Sequence, residues 1–252
     1  LMCGLPGQTA ASWRSTLDVV LAAVPHHVSV YPLTLEVGTP LYRMACRDES
    51  LEPDEDFQAA CMDVARELLG AAGYHPYEVA SYALDGHECA HNIAYWTGRG
   101  YLGLGRSAAG MLDTGDFDRL AGLFPGVSYR GDAYRVRLVQ CDDDATSFEA
   151  EYLSQREAAA EDLMLACRMT RGIASDLLVR AARVIPADEL TAACDRALEL
   201  GLATWVPETL GVHEGPFTSA DVVAGHVRAR LAPTHLGWLD GNVLFELFWD
   251  LA

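Results

Sequence analysis

Apolar and polar positions recur with two different periods along this chain, and the changes of period mark its predicted elements. Between residues 13 and 24 the apolar positions return every three to four residues, which predicts an amphipathic helix. Thr9 or Ser12 is placed to cap that helix. Residues 1–5 before it and residues 27–33 after it are short apolar runs typical of buried strands. A strand, a helix and a second strand form a βαβ unit, which predicts a parallel sheet.

The next pattern combines one more helix with several short strands. Apolar positions from Phe57 to Leu69 follow a helical period, and Gly73 is placed to end that helix. Residues 77–84 and 101–105 predict two short strands that flank a polar stretch.

The pattern changes after residue 140, and this change predicts a domain boundary. Residues 133–140 alternate well, with Tyr134, Val136 and Leu138 on one side and Arg135 and Arg137 on the other, as in a strand with one buried face. The acidic run 141–146 ends the alternation, and helical periods dominate the remainder. We therefore predict two domains, residues 1–150 and residues 151–252.

Helices and a hairpin make up the predicted second domain. Helices are predicted at residues 160–169, 175–184, 187–201, 219–231 and 241–251, with a small hairpin within 202–215. Helices combined with a hairpin indicate a winged-helix-like module.

The charge of the chain restricts its partners. Its 252 residues include 36 acidic and 18 basic side chains, which gives a formal net charge of -18. Such a surface repels phosphate backbones, so we predict no nucleic-acid partner. No apolar run reaches the roughly 18 residues that a membrane-spanning helix needs, so no membrane span is predicted.

Seven cysteines are spread along the chain, and no two of them lie within ten residues of each other. They stand at positions 3, 46, 61, 89, 141, 167 and 194. This spacing contains no CxxC or CxxxCxxC metal signature. The odd count and the lack of a secretory signal favour reduced thiols, and hence a cytoplasmic location. The opening residues read as the middle of a strand, so we expect an N-terminal part of the protein to be missing here.

The stretch "HECAHNIAYW", residues 87–96, is the densest group of ligand-type side chains. A histidine can bind iron through one ring nitrogen, and aromatic rings can line a flat apolar ligand. Such loops also form ordinary buried hydrogen-bond clusters, so residue types alone leave both interpretations open. The glycine-rich stretch 103–110 misses the GxGxxG spacing and is interpreted as a turn where the backbone approaches something closely.

Several segments together resemble one known family. In chain order they are "GLPGQTAASWRSTL", "HVSVYPLTLEVGTPLY", "GYHPYEVASYAL", "HECAHNIAYW", "YLGLG" and "HLGWLDGNVLFELFWDLA". They resemble HemW-type radical S-adenosylmethionine (radical SAM) proteins, heme chaperones related to oxygen-independent coproporphyrinogen III oxidase. The likeness runs along the whole chain and is weakest between residues 106 and 160.

The resemblance implies a fold and a function. The fold is an α/β one: the C-terminal part of a partial (β/α)6 radical SAM barrel, followed by a mainly helical, winged-helix-like domain. The function is heme binding and transfer to a heme-accepting protein. The alternative is a fragment of an oxygen-independent coproporphyrinogen III oxidase-like oxidoreductase of porphyrin biosynthesis.

The resemblance also implies cofactors that this stretch of sequence does not support by itself. Members of the family bind S-adenosylmethionine and a 4Fe-4S cluster through a CxxxCxxC loop, which has no counterpart here. We therefore expect no radical catalysis from these residues alone, and we assign no catalytic residue.

The family's HNxxYW signature matches four positions, and it is proposed there to serve heme binding. The implied cofactor-binding residues are His91, Asn92, Tyr95, Trp96, Thr34 and Ala109. Ala109 stands where the family usually has the histidine of a GxGAH motif, which puts the contacts around it in doubt.

His91 is the predicted axial ligand of heme iron, with Asn92 as its orienting neighbour and Tyr95 and Trp96 as pocket walls. If the stretch holds one helical turn, each pair separated by four residues shares a face. His87 and Cys89 are the competing ligands. The remaining alternative is that His91 makes a buried hydrogen bond that secures the loop.

Overall fold

A computed structural model describes residues 1–128, 131–208 and 216–252 of the chain. Tertiary contacts divide it into two compact units, Leu1–Cys89 and Ala90–Ala252, and each is described by itself. The predicted division into domains 1–150 and 151–252 stays a prediction. In the structure, Ala150 lies within a strand of the second unit.

The first unit contains three helices and five short strands. The helices are α1 (Ala10–Ala23), α2 (Pro40–Ala45) and α3 (Glu55–Ala71). The strands are β1 (Met2–Cys3), β2 (His27–Ser29), β3 (Tyr31–Pro32), β4 (His75–Pro76) and β5 (Ser81–Ala83). Strands β1 and β3 form a parallel pair, whereas β2, β5 and β4 form an antiparallel sheet in that order.

The predicted βαβ unit is present as β1, α1 and β3, with Met2 opposite Tyr31. Thr9 caps α1, because its side chain accepts a hydrogen bond from the backbone of Ser12. The predicted single strand 27–33 is two strands, because β2 pairs with β5 while β3 pairs with β1. Between them the fully buried Val30 donates its backbone hydrogen bond to Ala80 at 2.7 Å.

The core of the first unit lies between α1 and α3. Trp13 and Leu17 of α1 are buried, as are Ala65 and Leu69 of α3. The indole nitrogen of Trp13 donates a hydrogen bond of 2.9 Å to the carbonyl of Cys61. This bond satisfies the polar atom of the largest side chain in that core.

The second unit contains eight helices and five strands within its described residues. The helices are α4 (Ala90–Trp96), α5 (Thr114–Leu120), α6 (Gln155–Cys167), α7 (Ser175–Ala181), α8 (Ala187–Glu199), α9 (Ser219–Val223), α10 (His235–Leu239) and α11 (Gly241–Trp249). The strands are β6 (Ala109–Asp113), β7 (Arg135–Gln140), β8 (Phe148–Leu153), β9 (Ala203–Pro207) and β10 (Ala229–Pro233).

Strands β6, β7 and β8 form an antiparallel sheet in the first part of this unit. The predicted alternation is confirmed along β7, because Val136 and Leu138 are buried against Leu112 and Phe117. Tyr134 was predicted on the same face, but it precedes the strand and is exposed. Residues 101–105 were predicted to form a strand, but they form only one isolated bridge, between Tyr101 and Met111. The strand in this region is β6, which follows later in the chain.

The predicted winged-helix-like module is formed by α6 to β10. A short extended segment at Ile173 bridges to Leu231 of β10, and β10 pairs with β9 in antiparallel register. Helices α7 and α8 lie between these segments in the chain. The order of helix, bridge, two helices and two paired strands is that of a winged helix.

Two details of this module differ from the prediction. Strand β9 pairs with β10 rather than with a second strand inside 202–215, of which residues 209–215 lie outside the described part. The predicted helix 219–231 is therefore only α9, because its second half supplies β10. The strand partner is distant in the chain, so the local pattern did not reveal it.

Candidate functional site

The second half of the motif at residues 87–96 is helical, and the helix begins just before its histidine-asparagine pair. Helix α4 starts at Ala90, so His91 and Tyr95 lie one turn apart, as do Asn92 and Trp96. His91 and Tyr95 are exposed, whereas Asn92 and Trp96 are half-buried. The conditional prediction of shared faces is confirmed, and the outer face carries one imidazole and one phenol.

The side chain of His91 points to solvent. In the described part of the chain it takes part in no recorded hydrogen bond, ion pair or ring contact. The structure therefore gives no support to a buried hydrogen bond from His91 that would secure the loop. An exposed imidazole leaves a ring nitrogen open to an incoming metal centre.

Trp96 anchors the inner face of α4. The guanidinium carbon of Arg168 lies 5.2 Å from the centroid of the Trp96 ring and 4.4 Å from that of Phe245 in α11. This arrangement stacks one cation between two aromatic rings and holds α4 beside α6. The buried indole nitrogen of Trp96 finds no hydrogen-bond acceptor among the described residues.

Tyr95 stands between Trp96 and a second tyrosine that the sequence did not single out. Its ring meets Trp96 edge-on at 4.9 Å and Tyr101 at 5.0 Å between centroids. Tyr101 is more buried than Tyr95. Burial raises the pKa of Tyr101 above its ordinary value, so its phenol keeps its proton.

A small cleft opens beside these tyrosines. It is lined by Tyr95, Gly98, Arg99, Tyr101, Met111, Arg135, Glu161 and Leu165. The cleft is far too small to enclose a porphyrin.

Ion pairs form the floor of the cleft. Arg135 grips Asp162 with two hydrogen bonds of 2.6 and 2.8 Å, and Arg137 pairs with Glu151 and Glu161. The second carboxylate oxygen of Glu161 is buried without a hydrogen-bond partner in the described structure. Burial raises the pKa of Glu161, although Arg137 and Arg135 act against this shift.

Two glycines fix the backbone that carries Tyr101. A Cβ on Gly103 would lie 2.3 Å from the carbonyl oxygen of Ala109, and one on Gly110 would lie 3.1 Å from that of Tyr101. Tyr101 and Met111 exchange two backbone hydrogen bonds of 2.9 Å at this crossing. The interpretation of residues 103–110 as a close backbone approach is therefore confirmed.

The other predicted cofactor residues are scattered. Thr34 is exposed just after β3 in the first unit. Ala109 opens β6 opposite Val139, and its carbonyl presses against Gly103. Asn92 is half-buried on the inner face of α4. A cofactor role for these three residues stays a prediction.

The competing ligands belong to the first unit. His87 is exposed, and its ring stacks on that of His26 with centroids 4.1 Å apart. Cys89 is half-buried, and burial there reduces its access to a bulky ligand. His87 therefore remains the stronger competitor of His91.

Four of the seven cysteines are poorly suited to bind an iron-sulfur cluster. Cys3, Cys61, Cys167 and Cys194 are buried in the cores of the two units. Burial raises the pKa of each of these four thiols, which favours the protonated form over the thiolate that a metal needs. Within the described ranges, no three His, Cys, Asp or Glu residues are grouped to hold a metal ion.

No helix in the described part of the chain has the length and apolar character required to cross a membrane.

Similarity to known proteins points in one direction. The chain is 35% identical to the heme chaperone HemW of Synechocystis sp. over 173 residues, which cover 69% of this chain and 40% of that protein. It is 37% identical over 112 residues to the heme chaperone HemW of Mycobacterium tuberculosis, which covers 44% of this chain and 29% of that protein. No family model matches the chain.

A mitochondrial relative has a more general name. The radical S-adenosyl methionine domain-containing protein 1 of Danio rerio is 34% identical over 112 residues, 44% of this chain and 25% of that protein. The chain thus spans less than half the length of each of these relatives.

One solved structure shares the fold. It is coproporphyrinogen III oxidase (HemN) from Escherichia coli, described as a radical SAM enzyme, with a TM-score of 0.61. The match covers 98% of this chain and 53% of that one, at 16% identity. It confirms the predicted α/β fold with its C-terminal module.

Proposed function

Because the chain belongs to the HemW-like family of radical SAM proteins, we propose that it binds heme through His91 and passes it to an acceptor protein. Heme is the cargo in this proposal rather than a resident cofactor. The exposed face of α4 is the docking position, and the cytoplasm is the proposed location.

The exposure of His91 and Tyr95 on one face of α4 carries the proposal. Imidazole is a common axial ligand of heme iron, and tyrosine ligates heme iron in other proteins. A ligand held on an open helix face, rather than in a closed cavity, suits a protein that must release its cargo.

Radical catalysis is not part of the proposal. Reductive cleavage of S-adenosylmethionine needs a cluster held by thiolates, and four of the seven cysteines of this stretch are poorly suited to bind one. The likeness to coproporphyrinogen III oxidase rests on fold at 16% identity, so no porphyrinogen-oxidising step is derived from it.

Hemin titration tests the proposal. The whole chain is titrated in parallel with His91→Ala and with His226→Ala, a control that removes another exposed histidine of the second unit. We expect saturable binding with a shifted Soret band in the parent chain and in His226→Ala. His91→Ala should lose that band or move it, while its melting temperature without heme stays unchanged.

The competing ligands are separated by two further variants. If His87→Ala or Cys89→Ala changes the spectrum while His91→Ala does not, the ligand assignment to His91 is wrong. If the spectrum of the bound hemin is untouched in all three variants, α4 and the turn before it do not carry the heme ligand.

A further inference from the structure

The small cleft beside Tyr95 and Tyr101 contains a carboxylate that the surrounding fold satisfies only in part. Glu161 of α6 lines this cleft and is only 6% exposed. Its oxygen Oε1 accepts a hydrogen bond from Arg137, whereas Oε2 is buried without a hydrogen-bond partner in the described part of the chain. A buried carboxylate oxygen without a donor is costly, so it indicates a place for a ligand that donates hydrogen bonds.

The charges around Glu161 favour a ligand with a positive charge. Arg137 pairs with both Glu151 and Glu161, and Arg135 is held by two hydrogen bonds to Asp162. Two guanidinium groups thus face three carboxylates, which leaves this cluster with one uncompensated negative charge. A ligand with one positive charge balances the cluster, whereas the Glu161 carboxylate repels an anion.

The walls of the cleft suit a small ammonium group. The rings of Tyr95 and Tyr101 line it with their centroids 5.0 Å apart, and the faces of aromatic rings attract cations. Met111 and Leu165 add apolar lining, which excludes water and so strengthens a pair of opposite charges. The cleft is small, so a compact ammonium fits it better than a planar guanidinium group.

Two exposed side chains control access to the cleft. Because Oε2 of Glu161 is enclosed, a ligand reaches it only after a neighbouring side chain turns aside. Tyr95 can turn aside, since it is 37% exposed. Arg99 also lines the cleft and carries a competing positive charge, but it is exposed, and its repulsion of a ligand is screened by water and salt.

We propose that this cleft binds the ammonium group of a small primary amine. The Glu161 carboxylate accepts hydrogen bonds from the ammonium group, and Tyr95 and Tyr101 form its aromatic walls. This site goes beyond the proposed function and does not depend on heme binding.

Methylammonium chloride is the probe, and the backbone amide resonances of the whole chain report its binding. Tetramethylammonium chloride is titrated in parallel at equal total salt, because it has the same charge but no N–H group to donate. We expect methylammonium alone to shift the amides of Tyr101 and Met111 saturably. Equal shifts from the two salts would show general charge attraction, and no shift from either would show that the cleft takes up water only. Each of these results would overturn the inference.

Two carboxamide variants locate the site. Glu161→Gln keeps the shape of the side chain and removes its charge, so methylammonium should bind roughly tenfold more weakly. Glu151→Gln is the matched control, because it also removes a carboxylate paired with Arg137 but lies outside the cleft. It should bind methylammonium as the parent chain does. Equal weakening in both variants would show that the overall charge of the cluster, rather than Glu161, attracts the ligand, and the assignment would be wrong.

A third variant and the amide spectra complete the test. Arg99→Gln removes the competing positive charge, so it should tighten methylammonium binding; weaker binding would contradict the proposed site. The amide spectrum of each variant shows whether it is folded. If Glu161→Gln does not fold, the comparison of the two salts in the parent chain decides the question. No heme is present in these titrations, so their failure leaves the hypothesis about His91 standing.

Discussion

Gly103 shows how one missing side chain can set the geometry of a site. Any Cβ at this position would lie 2.3 Å from the carbonyl oxygen of Ala109, and its three nearest neighbours are all backbone atoms of Ala108 and Ala109, which cannot move aside as a side chain can. We expect Gly103→Ala to lower the free energy of unfolding by about 1–3 kcal/mol, as other overpacked interiors do. Denaturant unfolding measures the change.

The control for this substitution is Gly122→Ala, where a new Cβ meets nothing within 4 Å. That variant should remain within about 0.5 kcal/mol of the parent chain. Equal stabilities for the two variants would show that the crossing at Gly103 is looser than the structure indicates.

Glu161 supplies a prediction about pH. Burial raises its pKa above the ordinary 4.5, so ionisation is harder in the folded chain than in the unfolded one. Its contribution to stability is fully present below about pH 4.5 and is lost as the pH rises through the raised pKa. The parent chain should therefore lose stability relative to Glu161→Gln between pH 4.5 and 7.

Glu157 provides a control of opposite sign. A hydrogen bond from the Ser154 backbone lowers the pKa of Glu157, so its contribution is present above its ordinary value of 4.5 and is lost at lower pH. Denaturant unfolding of Glu161→Gln and of Glu157→Gln at several pH values should give opposite slopes of stability against pH relative to the parent chain. If the stability of the two variants changes with pH in the same direction, burial does not raise the pKa of Glu161.

At the scale of the element, α4 has one face for packing and one for binding. Trp96 stacks on Arg168, while Tyr95 and His91 face outward. Trp96→Ala should cost about 2 kcal/mol or more of stability, because a large aromatic contact is lost. His91→Ala should change stability by less than about 0.5 kcal/mol.

Thermal and denaturant unfolding of the two variants without heme check this division. A destabilised His91→Ala would show that His91 is part of the packing and would weaken its assignment as a free ligand. If Trp96→Ala has the same free energy of unfolding as the parent chain, the packing of α4 does not depend on the contact between Trp96 and Arg168.

At the scale of the whole molecule, charge is the dominant feature. With a net charge of -18, acidic side chains repel one another throughout the folded chain. Sodium chloride at about 0.5 M shortens the screening length to a few ångströms, so stability should rise. A gain of about 1 kcal/mol corresponds to a rise of about 2–4 °C in Tm for a chain of this size.

Calorimetry at several chloride concentrations measures this effect. Sucrose is the control, because it stabilises proteins by exclusion from their surface without screening charge. A Tm that falls with added chloride would indicate that ion pairs such as Arg135–Asp162 outweigh the general repulsion.

The sequence by itself determined the local features of this protein. Capping by Thr9, the alternation along β7 and the pairing of faces within α4 all depend on neighbours within a few residues. The resemblance added the family and its HNxxYW signature, which led to His91. These inferences succeeded because the relevant periods and motifs are written in consecutive residues.

Only the tertiary structure decided which distant residues meet. It split the strand at 27–33 between two sheets and paired β9 with β10. It also placed Tyr101 against Tyr95, under a backbone crossing that depends on Gly103. Strand partners and side-chain neighbours are chosen by packing between segments far apart in the chain, and no local period encodes that choice.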